Sequence, residues 1–170
     1  MFLIFCIHYW ICFQAAKLRI FAGIYNSIFH PLKIRIFASK FKQMILFPNA
    51  KINLGLNIVR RRPDGYHDIE TVMVPTGWCD VLEIVPAAPG ESTTLTCTGR
   101  PVDCPPESNL VMKAFRAVQA VCPDMPQARI SLRKIVPDGA GLGGGSADAA
   151  FTTTGLNTRF GLGLTPEAMA

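Results

Sequence analysis

Residues 137–150, Pro-Asp-Gly-Ala-Gly-Leu-Gly-Gly-Gly-Ser-Ala-Asp-Ala-Ala, contain five glycines among fourteen positions and end in a helix-forming run. Glycine lets the backbone take positive φ and lets a ligand approach the main chain closely. A helix that begins at such a loop turns free N–H groups and the positive end of its dipole into it. The chemistry this pattern suits is phosphate binding by backbone amides. A plain glycine linker would not run from a strand-like segment directly into Ser-Ala-Asp-Ala-Ala. The loop is not a Walker A sequence, because no Lys follows the glycines. Gly139, Gly141 and Gly144 satisfy G-x-G-x-x-G spacing through glycine density alone, with no acidic residue about twenty positions on to receive a ribose.

A second segment carries charge and amides. Ala50-Lys51-Ile52-Asn53-Leu54-Gly55-Leu56-Asn57-Ile58 alternates strictly, which predicts a half-buried strand with Ile52, Leu54, Leu56 and Ile58 on its inner face. Lys51, Asn53 and Asn57 would share the outer face, a surface suited to an anionic, hydroxylated ligand. Arg62-Pro63-Asp64-Gly65 reads as a turn, and Tyr66–Val74 as the returning strand.

These two segments together resemble the GHMP kinase superfamily. The phosphate-loop pattern matched is Pro137-x-x-x-Gly141-Leu142-Gly143-Gly144-Gly145-Ser146-Ala147. Its Gly-Gly-Gly-Ser form, with Ala-Lys-Ile-Asn-Leu and Arg-Pro-Asp-Gly-Tyr-His upstream, is most similar to one branch. That branch phosphorylates a cytidine diphosphate-linked methylerythritol in non-mevalonate isoprenoid (terpenoid) biosynthesis. A homoserine, mevalonate or sugar kinase of the superfamily would share the loop, with Gly-Leu-Gly-Ser-Ser expected instead, and would lack the Asp-Gly-Tyr-His segment. A non-catalytic nucleotide-binding remnant is the other alternative.

The resemblance implies ATP and Mg²⁺ as cofactors and assigns roles residue by residue. Pro137, Asp138, Gly139, Ala140, Gly141, Leu142, Gly143, Gly144, Gly145, Ser146 and Ala147 would hold the ATP phosphates. Asn109 and Lys134 match positions near the adenine, although Asn109 also reads as a helix cap. Lys51 would be catalytic, holding the reacting hydroxyl, and Asn53 would contact substrate. Tyr66 would stack on the cytosine and His67 would meet its edge. No protein metal ligand is assigned. The family's general base, an Asp in a Gly-Ala-Asp motif, has no counterpart here. Residues 44–170 therefore read as a truncated N-terminal, ATP- and substrate-binding domain, expected to be inactive without that Asp. The implied fold is α+β, with a mixed, largely antiparallel sheet, helices and a left-handed βαβ crossover, and with the C-terminal ferredoxin-like domain absent.

Charge separates the chain into two parts. The net charge of +5 comes from residues 1–43, which hold six Lys and Arg and no acid; the remainder has eleven Lys and Arg against twelve Asp and Glu. The body thus offers no basic footprint for nucleic acid. The leader's opening apolar run is shorter than the roughly twenty residues a membrane span needs. Its charges follow that run, unlike a signal peptide's. It reads as upstream translation or a disordered segment, with Met44 the expected start, and membrane association as the less favoured reading. Six cysteines show no C-x-x-C pair, which argues against zinc and predicts reduced thiols in a cytoplasmic protein acting on a small molecule.

The elements that must position the loop follow from periodicity. Asp80–Val85 and Thr93–Thr98 read as strands. Leu110, Val111, Ala114, Phe115, Val118 and Cys122 form a helical stripe, capped by Ser108 or Asn109 and ended by Pro123 and Pro126. Ala128–Arg133 alternates as the strand that feeds the glycine loop. The helix after Ser146 is expected to run to about Asn157, with Asp148 as an acid near its N-terminal dipole. Thr165-Pro166-Glu167 reads as a further helix start.

Overall fold

The computed structural model describes residues 43–169; all but the last residue of the 1–43 leader lies outside them. Six strands form, β1 Met44–Leu46, β2 Asn49–Arg61, β3 His67–Cys79, β4 Val81–Pro86, β5 Thr94–Gly99 and β6 Ala128–Lys134. Three helices accompany them, α1 Leu110–Val121, α2 Gly144–Phe160 and the short α3 Pro166–Met169. A 3-10 turn at Pro106–Ser108 leads into α1.

The main sheet has the order β1-β4-β6-β5. β1 and β6 pair antiparallel with β4, while β5 and β6 run parallel. The chain passes from β5 through α1 to β6, giving the expected mixed sheet with a βαβ unit. Registers are set by apolar alternation: Leu82 faces Leu132 and Ile84 faces Ile130, and all four are buried. β6 alternates buried and exposed along its whole length, Ala128, Ile130, Leu132 and Lys134 pointing inward.

Helices α1 and α2 pack against each other, and α2 lies on β4, β1 and the start of β2. The core joins Met44, Leu46, Leu82, Ile84, Ile130 and Leu132 of the sheet to Val111, Phe115 and Val118 of α1 and Leu156 of α2. Asn109 caps α1, its Oδ1 accepting from the Val111 amide at 2.9 Å. α2 runs three residues past Asn157. Its three consecutive threonines satisfy their hydroxyls on the carbonyls four residues back, and Gly161, at φ +63°, ends it in the left-handed conformation.

The strand reading of residues 50–58 needs correction in two respects. β2 and β3 form a separate two-stranded ribbon, and its apolar side chains are uncovered: Leu54 is 56% and Ile58 61% exposed. Nor is the alternation unbroken. The register slips between Leu54 and Leu56, where Gly55 sits at φ +74° as the extra residue of a bulge. Leu54 pairs with Val72 but Leu56 with Thr71. One inserted residue in a period-two pattern moves Leu56 and Ile58 to the face that carries Lys51 and Asn53. The turn at the ribbon's tip forms as read, with the Gly65 amide on the Arg62 carbonyl at 3.1 Å.

Phe115 is 2% exposed and fills the space between α1 and the sheet. Phe115→Ala should lower the unfolding free energy by about 3–5 kcal/mol, measured by urea denaturation followed by circular dichroism.

Candidate functional site

β6 delivers the chain into the glycine loop, and α2 carries it away. Gly139, Gly141 and Gly143 take φ of +69°, +71° and +73°, values that side chains rarely adopt. The three glycines that follow Leu142 are needed for a second reason, because Cβ atoms there would crowd their neighbours. A Cβ on Gly143 would lie 3.0 Å from Lys51 Cγ; on Gly144, 3.1 Å from Val136 Cγ1; on Gly145, 3.2 Å from Leu110 Cδ1. Gly143 is the N-cap and supplies no side-chain cap. The first amides of α2 therefore remain without an intrahelical acceptor, turned toward the loop. Leu110 and residues 137–146 line an open cleft of about 230 Å³ there. A neighbouring cleft, lined by Arg100, Pro101, Asp103 and Pro137–Gly139, adjoins it. A glycine-lined backbone cradle with free amides at its base is suited to an anion such as phosphate.

The ribbon meets this loop at its base. The Lys51 amide donates to the Leu142 carbonyl at 2.8 Å, and the Lys51 side chain lies across Gly143. Its Nζ donates to Asn53 Oδ1 at 3.2 Å. Lys51, Asn53 and the loop, distant in sequence, are thus brought together. Tyr66 and His67 are not. They lie at the exposed far end of the ribbon, where His67 pairs with Arg61, ten positions along β2 from Lys51 and roughly 30 Å away at strand spacing. Two arginines at this tip are engaged on the surface: Arg60 with Asp68 at 2.5 Å and Arg62 with Asp64 at 2.6 Å.

Asn109 is buried as the α1 cap. Lys134 sits beneath the loop, 4% exposed. Its Nζ donates to Asp80 Oδ2 at 2.5 Å and to Asp148 Oδ2 at 2.8 Å. The other Asp80 oxygen accepts from the amides of Ile135 at 2.5 Å and Val136 at 2.8 Å. Two sequence readings change here. Asp80 is not the first residue of β4 but a fully buried junction between β3 and β4. Asp148 is not a first-turn acid at the helix dipole: the helix starts at Gly144 with no acid in its first turn, and Asp148 is buried on Lys134, its Oδ1 without a hydrogen-bond partner. Burial pushes the Asp148 carboxyl up to about 7, with Lys134 pulling it down and Asp80 adding to the rise. Burial alone would lower the Lys134 ammonium, but its bonds to Asp148 and Asp80 outweigh that and raise it. This cluster escaped the sequence reading. The signal for Lys134 was present, since the β6 alternation carried one residue further places it inward.

Cys79, Cys97, Cys104 and Cys122 are free thiols. Among the described residues, no three His, Cys, Asp or Glu side chains gather to hold a metal ion, and no helix is long and apolar enough to cross a membrane.

Residues 109–170 match the family model of the GHMP kinases N terminal domain. Over that segment the chain is similar to the GHMP kinases. A 4-diphosphocytidyl-2-C-methyl-D-erythritol kinase of Parabacteroides distasonis is 52% identical over 126 residues, 74% of this chain and 45% of that protein. One from Azobacteroides pseudotrichonymphae is 54% identical over 108 residues, 64% of this chain and 39% of its own length. A crystal structure of a 4-(cytidine 5'-diphospho)-2C-methyl-D-erythritol kinase superposes with a TM-score of 0.60 at 32% identity, covering 75% of this chain and 46% of that one. A homoserine kinase from Cytophaga hutchinsonii reaches a TM-score of 0.56 at 18% identity, over 78% of this chain and 41% of its own, and so shares the fold. The chain spans less than half the length of these GHMP kinase relatives.

Two glycines separate backbone strain from loop packing. Gly161→Ala meets only the left-handed backbone cost of about 1–2 kcal/mol, since nothing lies within 4 Å of its Cβ. Gly143→Ala incurs the same cost and also displaces Lys51. Chemical denaturation should therefore show Gly143→Ala as the more destabilised, and titration with Mg·ATP should show weakened binding for Gly143→Ala alone.

Proposed function

We propose that this chain is the ATP- and substrate-binding part of a kinase. The reaction is transfer of the γ-phosphoryl group of ATP to the 2-hydroxyl of 4-diphosphocytidyl-2-C-methyl-D-erythritol. The observation that carries the reading is the bond from the Lys51 amide to the Leu142 carbonyl. It fixes a cation-bearing strand on the rim of a backbone phosphate cradle. The printed names of the relatives at 52% and 54% identity support the substrate.

Phosphoryl transfer depends on positioning and charge neutralisation more than on covalent help from the protein. The amides at the start of α2 hold phosphate oxygens. Lys51, oriented by Asn53, approaches the acceptor hydroxyl and favours its ionised form through proximity of charge. A Mg²⁺ ion accompanying the nucleotide would supply positive charge to the phosphates. Asp138 and Ser146, both lining the cleft, are the side chains available to it, and Mg²⁺ commonly takes only one or two protein ligands beside phosphates and water. Tyr66 stacks on the cytosine and His67 reads its edge. Engaging both ends of the ribbon with one substrate requires it to curve over the loop, and the register slips at Gly55 and Val59 are where such a ribbon bends. The Lys51 side chain donates to Asn53, and among the described residues no carboxylate joins that pair.

Calorimetric titration of the 170-residue chain tests this reading. Mg·ATP and the cytidine diphosphate-linked polyol should each bind, and homoserine should not. Lys51→Met should weaken the polyol ligand by roughly tenfold or more, the loss of one charge-assisted contact. Tyr66→Ala should weaken the polyol ligand by a similar factor, the loss of one stacked base, and leave Mg·ATP unchanged. Failure of the wild-type chain to bind Mg·ATP, or preference for homoserine, would overturn the assignment.

A further inference from the structure

The glycine loop has no strand or helix ladder of its own. Between Lys134, where β6 ends, and Gly144, where α2 begins, the chain takes left-handed backbone at Gly139, Gly141 and Gly143. Glycine loses more conformational freedom on ordering than any other residue. Amides that had to be ordered as a ligand arrived would lose affinity to that ordering. Both ends of the loop must therefore be held from outside it.

One buried cluster reaches both ends. Asp80, at the β3–β4 junction, accepts on Oδ1 the amides of Ile135 at 2.5 Å and Val136 at 2.8 Å, the two residues with which the chain leaves β6. Its Oδ2 accepts from Lys134 Nζ at 2.5 Å. The same ammonium donates at 2.8 Å to Asp148 Oδ2, in the second turn of α2. It also underlies the first residue of that helix, since a Cβ on Gly144 would stand 3.3 Å from Nζ. Asp80, Lys134 and Asp148 are 0%, 4% and 2% exposed, so water does not compete for these bonds. None of the three lines the cleft, which is bounded by Leu110 and residues 137–146.

We infer that Asp80, Lys134 and Asp148 are positioning residues for phosphate binding. Asp80 fixes the direction in which the chain enters the loop. Lys134 carries that constraint to α2 through Asp148, so the first amides of the helix point into the loop before a nucleotide arrives. Lys134, whose sequence match lies near the adenine, is engaged by the two carboxylates and acts from beneath the loop instead of on the base. What the link requires at Asp148 is an acceptor for Lys134. Its other oxygen, Oδ1, makes no hydrogen bond, so an Asn that keeps one oxygen toward Lys134 keeps the link, and an Ala does not.

This role rests on the nucleotide reading above, and the test separates the two. Mg·ATP is titrated by calorimetry into the wild-type 170-residue chain, Asp148→Ala and Asp148→Asn, and ¹⁵N relaxation of each free protein reports the order of amides 143–147. Without nucleotide, wild type should show order parameters near the ~0.85 of rigid backbone at these amides. Asp148→Ala cuts the link to α2 and leaves Lys134 on Asp80. It should raise the Kd for Mg·ATP by about tenfold, the loss of one hydrogen bond to a charged group, and lower those order parameters. Asp148→Asn should return the Kd to within about twofold of wild type, the size of an ordinary tolerated substitution. A role in stability alone would move the urea midpoint of Asp148→Ala and leave its Kd at the wild-type value. That result, or an equal rise in Kd for the Ala and Asn variants, would overturn the inference and leave the nucleotide reading standing. Order parameters below ~0.6 at amides 143–147 of free wild type would overturn it too, and that measurement needs no variant to fold. No Mg·ATP binding by wild type would overturn both.

Discussion

One ammonium ties this domain together. Lys134 is drawn inside because β6 alternates through its last residue, and a lysine there is tolerable only when carboxylates meet it. Asp80 and Asp148 do so at 2.5 and 2.8 Å. A buried ion group of this kind contributes little net stability compared with an apolar replacement, because desolvation offsets attraction. What it supplies is specificity of arrangement. The sheet, the junction that starts β4 and the helix that leaves the loop can meet in only one register if all three charges are to find partners.

The glycine loop depends on that arrangement. Its backbone turns through three left-handed residues and passes so close to Lys51, Val136 and Leu110 that a Cβ at Gly143, Gly144 or Gly145 would require those side chains to shift. Free amides at a helix start attract anions, but they select a phosphate only when their directions are fixed. The fixing comes from below through Lys134 and from the side through the Lys51 amide on Leu142. The same two lysines thus define the site in different ways, one buried and structural, the other at the rim and available to a ligand.

Much of this was legible in the sequence where the determinants are local. The α1 stripe, the Asn109 cap, the tip turn of the ribbon and the loop-to-helix transition each follow from residues within a few positions of one another. The Gly55 bulge was not legible, because strict alternation through Ala50–Ile58 reads the same whether or not one residue drops out of register. Only pairing with Val72 and Thr71 reveals it. The buried cluster was hidden for another reason. Asp80 precedes Lys134 by 54 positions and Asp148 follows it by 14, and each alone looks like a residue at the end of an element. Long-range contacts of this kind are set by topology: the antiparallel β4–β6 pairing, Val81 opposite Arg133, brings Asp80 beside Lys134. The exposed apolar ribbon likewise departs from its periodicity, since alternation predicts which side chains share a face but not whether a second layer covers it.

The central claim is that backbone amides of the glycine loop hold the phosphates of a nucleotide. Amide-resolved ¹⁵N NMR of the 170-residue chain during titration with Mg·ATP addresses it directly. The account predicts that the largest shifts fall on Gly143, Gly144, Gly145, Ser146 and Ala147 and saturate together. Saturable shifts centred elsewhere, or none at these amides at high nucleotide concentration, would contradict it.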